Sequence, residues 1–350
     1  MSGAEGKPLV EAQGLKVHFD TDDGETVKAV DGLNFSVMEG ETFGVIGESG
    51  SGKSTLGRAI VCLIRPDEGE ILHDGCNPFT LSARDLRRHR REYQIIFQDP
   101  HSALNPRMSI IDSVLEPLEI IGGADGEERR RRALAALDRV GLGAEFAERY
   151  PHQLSGGQKQ RVNIARALIL QPKLLVCDES VAALDVSIQA DILNLLADLQ
   201  REFGLTYVFI THDLAVVSHV SDRIAVMYLG VFMEMGPAEE IARRPRHPYT
   251  EALLSAEPLP LPSAMRTKQR IILEGEIPSP IAPPSGCRFR TRCRFAQAIC
   301  ADERPAFREI ESGRFAACHF AENLVLQGEN RISGKAAGRA SLEQNEGFRP

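Results

Sequence analysis

At 350 residues the chain is long for one domain and short for two large ones, and a hydrophobic share of 43% is enough to bury a sizeable core. A net charge of −8 disfavours nucleic acid as a partner, and no apolar run approaches the ~18 residues that a membrane span needs. The N-terminus, MSGAEGKPLVEAQG, has no charged segment followed by an apolar stretch, so the expectation is a cytosolic chain that meets any membrane through a partner.

Residues 9–46 read as short strands and turns, with apolar-rich stretches at 27–30 and 33–37 and Asp31-Gly32 as turn residues between them. Thr42–Ile46 is a compact apolar run that stops at Gly47, and residues 53–64 then follow helical spacing with Leu56, Ile60 and Leu63 on one face. An arginine-rich polar stretch, 82–92, precedes an expected strand at 93–97. From 109 to 150 Ile110, Val114 and Leu118, then Leu134, Leu137 and Val140, recur at helical spacing on either side of Gly122-Gly123, the pattern of an inserted helical subdomain. The arginines at 129–132 read as a solvated helix face, because Glu127 and Glu128 stand four residues before Arg131 and Arg132. Alternation of strand and helix then resumes: an apolar strand at 174–177, an amphipathic helix marked by Ile188, Ile192, Leu195, Leu199 and Phe203, a strand at 206–210, and a helix from about Asp213. Such alternation implies a mostly parallel sheet covered on both faces. After Tyr249 the prolines at 258, 260, 262, 278, 280, 283 and 284 mark a linker-like region, and from Gln327 the polar tail is expected to be disordered.

Gly47-Glu48-Ser49-Gly50-Ser51-Gly52-Lys53-Ser54, continued by Thr55, matches GxxxxGK[ST] between an expected strand and an expected helix. Glycines let the backbone wrap closely so that its N–H groups point at phosphate oxygens, and the helix adds its positive N-terminal end. Lys53 would reach the β- and γ-phosphates of ATP, and Ser54 would supply a hydroxyl to Mg²⁺. Leu174-Leu175-Val176-Cys177-Asp178-Glu179 sets two carboxylates at the end of a buried strand, where ligands bind in open α/β sheets. Asp178 would hold Mg²⁺, and Glu179 would orient and polarise an attacking water.

Leu154-Ser155-Gly156-Gly157-Gln158 opens a long expected helix and makes a second anion-binding tip. This LSGGQ run resembles the signature of ATP-binding-cassette (ABC) ATPases, and the resemblance covers about residues 8–250. It implies roles for residues that are individually unremarkable. Gln98 resembles the Q-loop glutamine, which implies a place beside Ser54 and Asp178 at Mg²⁺, and Ala183-Leu184-Asp185 resembles the D-loop. His212 resembles the histidine on the γ-phosphate side that helps hold Glu179 and the water, and Phe19 resembles the aromatic that stacks on adenine. It further implies that two such domains close face to face, each ATP lying between one phosphate loop and the other domain's LSGGQ. The expected fold is therefore α/β: a P-loop NTPase core of ABC type at 8–250, with an antiparallel β subdomain, an inserted helical subdomain at about 105–165, and a small Cys-containing C-terminal extension at 251–325. Residues 326–350 form the tail.

Phe97-Gln98-Asp99-Pro100, Leu104-Asn105-Pro106-Arg107 and Arg246-His247-Pro248-Tyr249-Thr250 resemble the oligopeptide/dipeptide/nickel importer group, as does Glu179-Ser180-Val181-Ala182-Ala183-Leu184-Asp185, where many ABC ATPases have Pro-Thr after the glutamate. That resemblance implies ATP hydrolysis coupled to peptide import at the cytoplasmic face of the membrane. The implied partners are a second, non-identical ATPase subunit, two transmembrane permease subunits and an extracytoplasmic solute-binding protein. Of the seven cysteines, Cys62, Cys76 and Cys177 read as reduced structural thiols. Cys287, Cys293, Cys300 and Cys318 crowd together at spacings looser than CxxC patterns, so their chemistry leaves a [4Fe–4S] cluster, a Cys₄ zinc site (or Cys₃ with His319) and unligated thiols all open. The resemblance favours the [4Fe–4S] cluster, with Arg288, Arg290, Arg292 and Arg294 offsetting thiolate charge. Two rival readings remain: an ABC ATPase without a membrane partner, and a redox or iron-sensing regulator.

Overall fold

A computed structural model describes residues 7–100, 102–122, 125–181, 184–256 and 271–328. Ala182, Ala183, Gly123, the prolines at 258, 260 and 262, and the tail beyond 328 lie outside the described residues. Strand β1 (Pro8–Asp20) and strand β2 (Thr26–Met38) form an antiparallel hairpin; β3 (Thr42–Ile46) leads to helix α1 (Lys53–Ile60), and β4 (Glu68–His73) pairs with the other side of β1. Leu15 pairs with Leu33 but Lys16 pairs with Asp31, which leaves Gly32 unpaired at φ +82°. Asp31-Gly32 is thus a bulge inside one continuous strand and not the expected turn; a glycine that supplies positive φ serves either purpose. The helix after the loop also stops sooner than its spacing predicts. Cys62 takes φ +60° beyond Ile60, and Leu63 is left 48% exposed while Leu56 and Ile60 are fully buried.

The arginine-rich stretch contains a short helix, α2 (Ala83–His89), whose N-terminal Asp85 N–H is capped by Ser82. After β5 (Tyr93–Ile96) come α3 (Ile110–Ile121), capped by Ser109, α4 (Gly126–Arg139), capped by Asp125, and α5 (Gly156–Leu168). Val114, Leu118, Leu137 and Ile164 from these three helices share one core with Val140, just past the end of α4. On the exposed face of α4 Glu128 takes Arg132, four residues on, as the charge pattern predicts, and also Arg131, three residues on, which the pattern assigns to Glu127.

The remaining elements are β6 (Leu174–Asp178), α6 (Val186–Phe203), β7 (Thr206–Thr211), α7 (Leu214–Val220), β8 (Arg223–Tyr228), β9 (Val231–Pro237), α8 (Ala238–Arg243), α9 (Pro248–Ala256), α10 (Ile299–Asp302), β10 (Arg308–Glu311) and β11 (Arg314–Ala316). They complete a sheet of order β10-β11-β9-β8-β3-β7-β6-β5. It is parallel from β8 through β5 and antiparallel through β9, β11 and β10. Every residue of β3, β6 and β7 is buried, which explains why these strands read as unbroken apolar runs. The last two strands come from the cysteine-bearing extension, so the extension is hydrogen-bonded onto the central sheet: Phe315 pairs with Met235 and Ala316 with Glu234. A buried carboxylate secures that junction. Glu234, 1% exposed, accepts from the N–H groups of Arg246 (2.8 Å) and His247 (3.0 Å) and from the guanidinium of Arg314 (3.2 Å), itself 3% exposed.

Candidate functional site

The loop 47–52 leaves the end of β3, the strand flanked by β7 and β8, and enters α1. Two glycines are required by contact. A Cβ on Gly47 would lie 2.1 Å from the Met227 carbonyl oxygen, and one on Gly52, which also holds φ +104°, would lie 2.0 Å from that of Ala29. The Gly230 N–H donates to the Ser51 carbonyl at 2.9 Å, pinning the loop to the β8–β9 turn. The Lys53 ammonium is buried and donates to the carbonyls of Gly47 (2.8 Å) and Glu48 (3.0 Å), so it crosses the mouth of the loop it terminates. Burial pulls its pKa down, against the opposing pull of Glu179, Asp178 and Glu48.

Strand β6 brings the two carboxylates to the same edge. Asp178 Oδ1 accepts from the Ser54 hydroxyl at 2.9 Å, placing two oxygens side by side, a donor set suited to Mg²⁺. Burial raises the Asp178 pKa despite help from Ser54, Arg58 and Lys53, so its charged form would gain from a divalent cation. Glu179 sits at φ +47°, a conformation rarely adopted by a residue with a side chain, and its N–H donates to the Ile210 carbonyl at 2.9 Å. That twist turns its carboxylate toward two other candidates: Oε2 accepts from Gln98 Nε2 at 2.6 Å, and Oε1 lies 3.4 Å from His212 Nδ1. Gln98, Glu179 and His212, from the ends of β5, β6 and β7, therefore converge. Gln98 bonds to Glu179, whereas the Ser54–Asp178 pair bond to each other. Phe19, near the end of β1, is 42% exposed and thus available for stacking.

The 154–158 run starts α5 with a reciprocal cap: the Ser155 hydroxyl accepts from the Gln158 N–H (3.3 Å), and the Gln158 side chain accepts from the Ser155 N–H (3.0 Å). Leu154 is buried beneath it, and a Cβ on Gly157 would come within 2.6 Å of Ile188 Cγ2, so the helix start lies close against α6. Gly156 approaches Leu184 on the same side, while Asp185 and Val186 stay exposed at the start of α6, Val186 by 83%.

Two contacts to the phosphate-loop motif come from residues that carried no such role in the sequence. The Glu48 N–H donates to the Tyr249 hydroxyl at 2.9 Å, and the Glu48 carboxylate receives both terminal nitrogens of Arg292, at 2.6 and 3.0 Å. Tyr249 belonged to the RHPYT run and Arg292 to the arginines around the cysteines, but pairings across 201 and 244 positions leave no periodic trace.

Cys287 and Cys300 are buried and Cys293 and Cys318 half-buried, with the Cys287 N–H donating to the Cys300 carbonyl at 2.8 Å. Burial pushes the thiols of Cys293 and Cys318 each up to about 11; backbone N–H donors from Phe295 and Phe320 oppose this, while neighbouring cysteine sulfurs add to it. The four sulfurs are thus close enough to feel one another. Even so, among the described residues no group of three or more His, Cys, Asp or Glu stands in an arrangement that would hold a metal ion.

A glycine loop between a central parallel strand and a helix, facing a hydroxyl–carboxylate pair and a glutamate, is the arrangement of a P-loop nucleotide hydrolase. Comparison with known proteins narrows this class. Residues 30–182 match the family described as ABC transporter, and residues 233–300 match the oligopeptide/dipeptide transporter C-terminal region. The chain is 51% identical over 317 residues to the putative oligopeptide transport ATP-binding protein YkfD of Bacillus subtilis, covering 90% of this chain and 96% of that protein. It is likewise 51% identical over 308 residues to the oligopeptide transport ATP-binding protein OppF of Salmonella typhimurium, covering 85% of this chain and 92% of that protein. Among solved structures, the dimeric post-hydrolysis state of the ATP-binding cassette MJ0796 bound to ADP and Pi matches with a TM-score of 0.60 at 35% identity, over 66% of this chain and 99% of that one. The chain belongs to the ATP-binding subunits of ABC transporters, in the branch that carries the oligopeptide/dipeptide-type C-terminal region. It is an ATPase of that family. No helix among the described residues is long and apolar enough to cross a membrane.

Proposed function

We propose that this chain hydrolyses ATP to energise the import of peptides. The observation that carries the reading is the convergence of Gln98 and His212 on Glu179, beside the Ser54–Asp178 pair and Lys53. In this reading the backbone of residues 47–52, with Lys53, Ser54 and Thr55, grips the phosphates, and Phe19 stacks on adenine. Ser54, Asp178 and Gln98 are the residues that would hold Mg²⁺, which would supply positive charge to offset that of the phosphates. Glu179 takes the proton of the attacking water, held in position by Gln98 and His212. Residues Leu154 to Gln158 and Asp185 face the nucleotide of a second ATPase subunit, for which the open tip of α5 and the exposed Val186 beside it offer a surface. The boundaries that fit this division are an ATPase domain at 8–250, its helical subdomain at about 105–165, and the extension at 251–325.

The names of the relatives support peptides as cargo. In this reading the chain works on the cytoplasmic face of the membrane with a second, non-identical ATPase subunit and two permease subunits, supplied by an extracytoplasmic binding protein. An apolar groove beside Gln98, with Leu63, Phe97 and Ile120 exposed around it, suits contact with a membrane subunit. Cys287, Cys293, Cys300 and Cys318 are the residues that would hold a [4Fe–4S] cluster. What supports this is the all-thiol donor set and the Phe320 N–H, which donates to Cys318 Sγ at 3.4 Å. The test is to purify the chain from membranes with its bound subunits, reconstitute the complex with a binding protein, and measure uptake of labelled peptides. ATP-dependent uptake by a complex containing a second, different ATPase chain is expected. A chain that hydrolyses ATP in solution and recovers no membrane subunit would contradict the reading.

A further inference from the structure

Residue 48 is bound at three points. Its carbonyl accepts from Lys53, its N–H donates to Tyr249, and its carboxylate accepts two parallel bonds from Arg292. Arg292 is held in turn: its side chain is 7% exposed, it lies 5.9 Å from the centroid of the Tyr228 ring, and it donates to the Tyr228 hydroxyl at 3.4 Å. Tyr228 packs at 4.7 Å from Tyr249, and both rings pack on Phe289 of the extension. The result is a single cluster of three aromatics and one guanidinium between the extension and the second residue of the phosphate-loop motif.

Electrostatics gives this contact a purpose beyond attachment. Glu48 is an anion within a loop that must receive a polyphosphate, and an unpaired carboxylate there would repel the incoming charge. A bidentate guanidinium neutralises it and at the same time fixes its direction, which the single point charge of a lysine cannot do. We infer that Arg292 is a positioning residue for ATP hydrolysis: the extension uses it to neutralise Glu48 and to hold the phosphate loop in its ATP-receiving shape. The inference rests on the ATPase reading above and adds to it a link, made by this chain's own side chains, between the extension and the nucleotide.

The experiment uses the complete transporter and reads KM for MgATP and kcat, with equilibrium binding of a fluorescent ATP analogue as a second readout. Arg292→Met should raise KM about tenfold, equivalent to about 1.4 kcal/mol, with a smaller change in kcat. Adding Glu48→Gln to Arg292→Met should bring KM back toward wild type, because the unpaired anion is gone; a merely structural anchor predicts no such recovery. Arg308→Ala, which breaks an exposed ion pair with Glu322 inside the extension, should leave KM unchanged. Where Arg292→Met does not assemble, Arg292→Lys carries the test, with KM raised by a smaller factor. A KM within twofold of wild type for Arg292→Met or, in its place, Arg292→Lys overturns the inference. So does a double variant no better than the single one, or an equal rise in Arg308→Ala. A wild-type complex that neither binds nor hydrolyses ATP is a different failure and removes the ATPase reading along with it.

Discussion

Replacing Arg314 with Met should loosen the join between the extension and the ATPase sheet. Arg314 and Glu234 are 3% and 1% exposed, and Arg314 also reaches Glu311 at 3.0 Å and Glu240 at 3.6 Å. Removing one member of a buried pair typically costs about 3–5 kcal/mol, because the survivor keeps its desolvation penalty. Glu234 can soften that loss by taking a proton. Burial already raises its pKa to about 7, against the bonds from the Arg246 and His247 N–H groups and from Arg314 that favour the charge. The folded protein therefore binds this proton more tightly than the unfolded chain does. The stability gained from it is fully present below the ordinary glutamate pKa and is lost as pH rises through about 7, a span worth about 3 kcal/mol. Without Arg314 the folded pKa rises further, so destabilisation by the variant should be smaller at pH 6, where Glu234 is protonated with or without Arg314, than at pH 8, where the variant loses the cation that favours the charged form. Urea unfolding at the two pH values measures this, and Glu234→Gln in the same chain should restore much of the loss at pH 8. A loss under about 1 kcal/mol at pH 8, or one that does not change with pH, would refute the argument.

Gly52→Ala puts a Cβ 2.0 Å from the Ala29 carbonyl oxygen at φ +104°, so the loop must move; binding of MgATP should be lost while far-ultraviolet circular dichroism stays near wild type. Phe19→Ala should weaken ATP binding by about 1–3 kcal/mol, the usual worth of base–aromatic stacking, and leave kcat unchanged, as equilibrium titration and turnover assays can check. Protein purified without air should be brown with about four irons per chain, and Cys293→Ser should bleach it; colourless wild-type protein with stoichiometric zinc would decide for the Cys₄ zinc alternative.

What could be read from the sequence divides along physical lines. Strands β3, β6 and β7 are buried along their whole length, so apolar runs located them to within a residue. The phosphate loop, the Asp178-Glu179 pair and the LSGGQ helix start were legible because each needs particular residue types at fixed spacing, and the structure gathers Gln98, Glu179 and His212 at one point. Gly32 misled because positive φ serves turn and bulge alike, and α1 overran because nothing local announces the reversal at Cys62. Strands β10 and β11 went unread, being four and three residues long with no continuous apolar pattern. The bonds of Arg292 and Tyr249 to Glu48 depend on the folded path of the chain, which no window of sequence reports.

The central claim is that Glu179 drives hydrolysis at the edge shared by β6 and β7. Glu179→Gln keeps the size and the hydrogen-bonding reach toward Gln98 and His212 but removes the base. In the reconstituted transporter this variant should bind MgATP with near-normal affinity and hydrolyse it about 10²–10⁴-fold more slowly. Hydrolysis within a few-fold of wild type by a folded, ATP-binding Glu179→Gln complex would contradict the account.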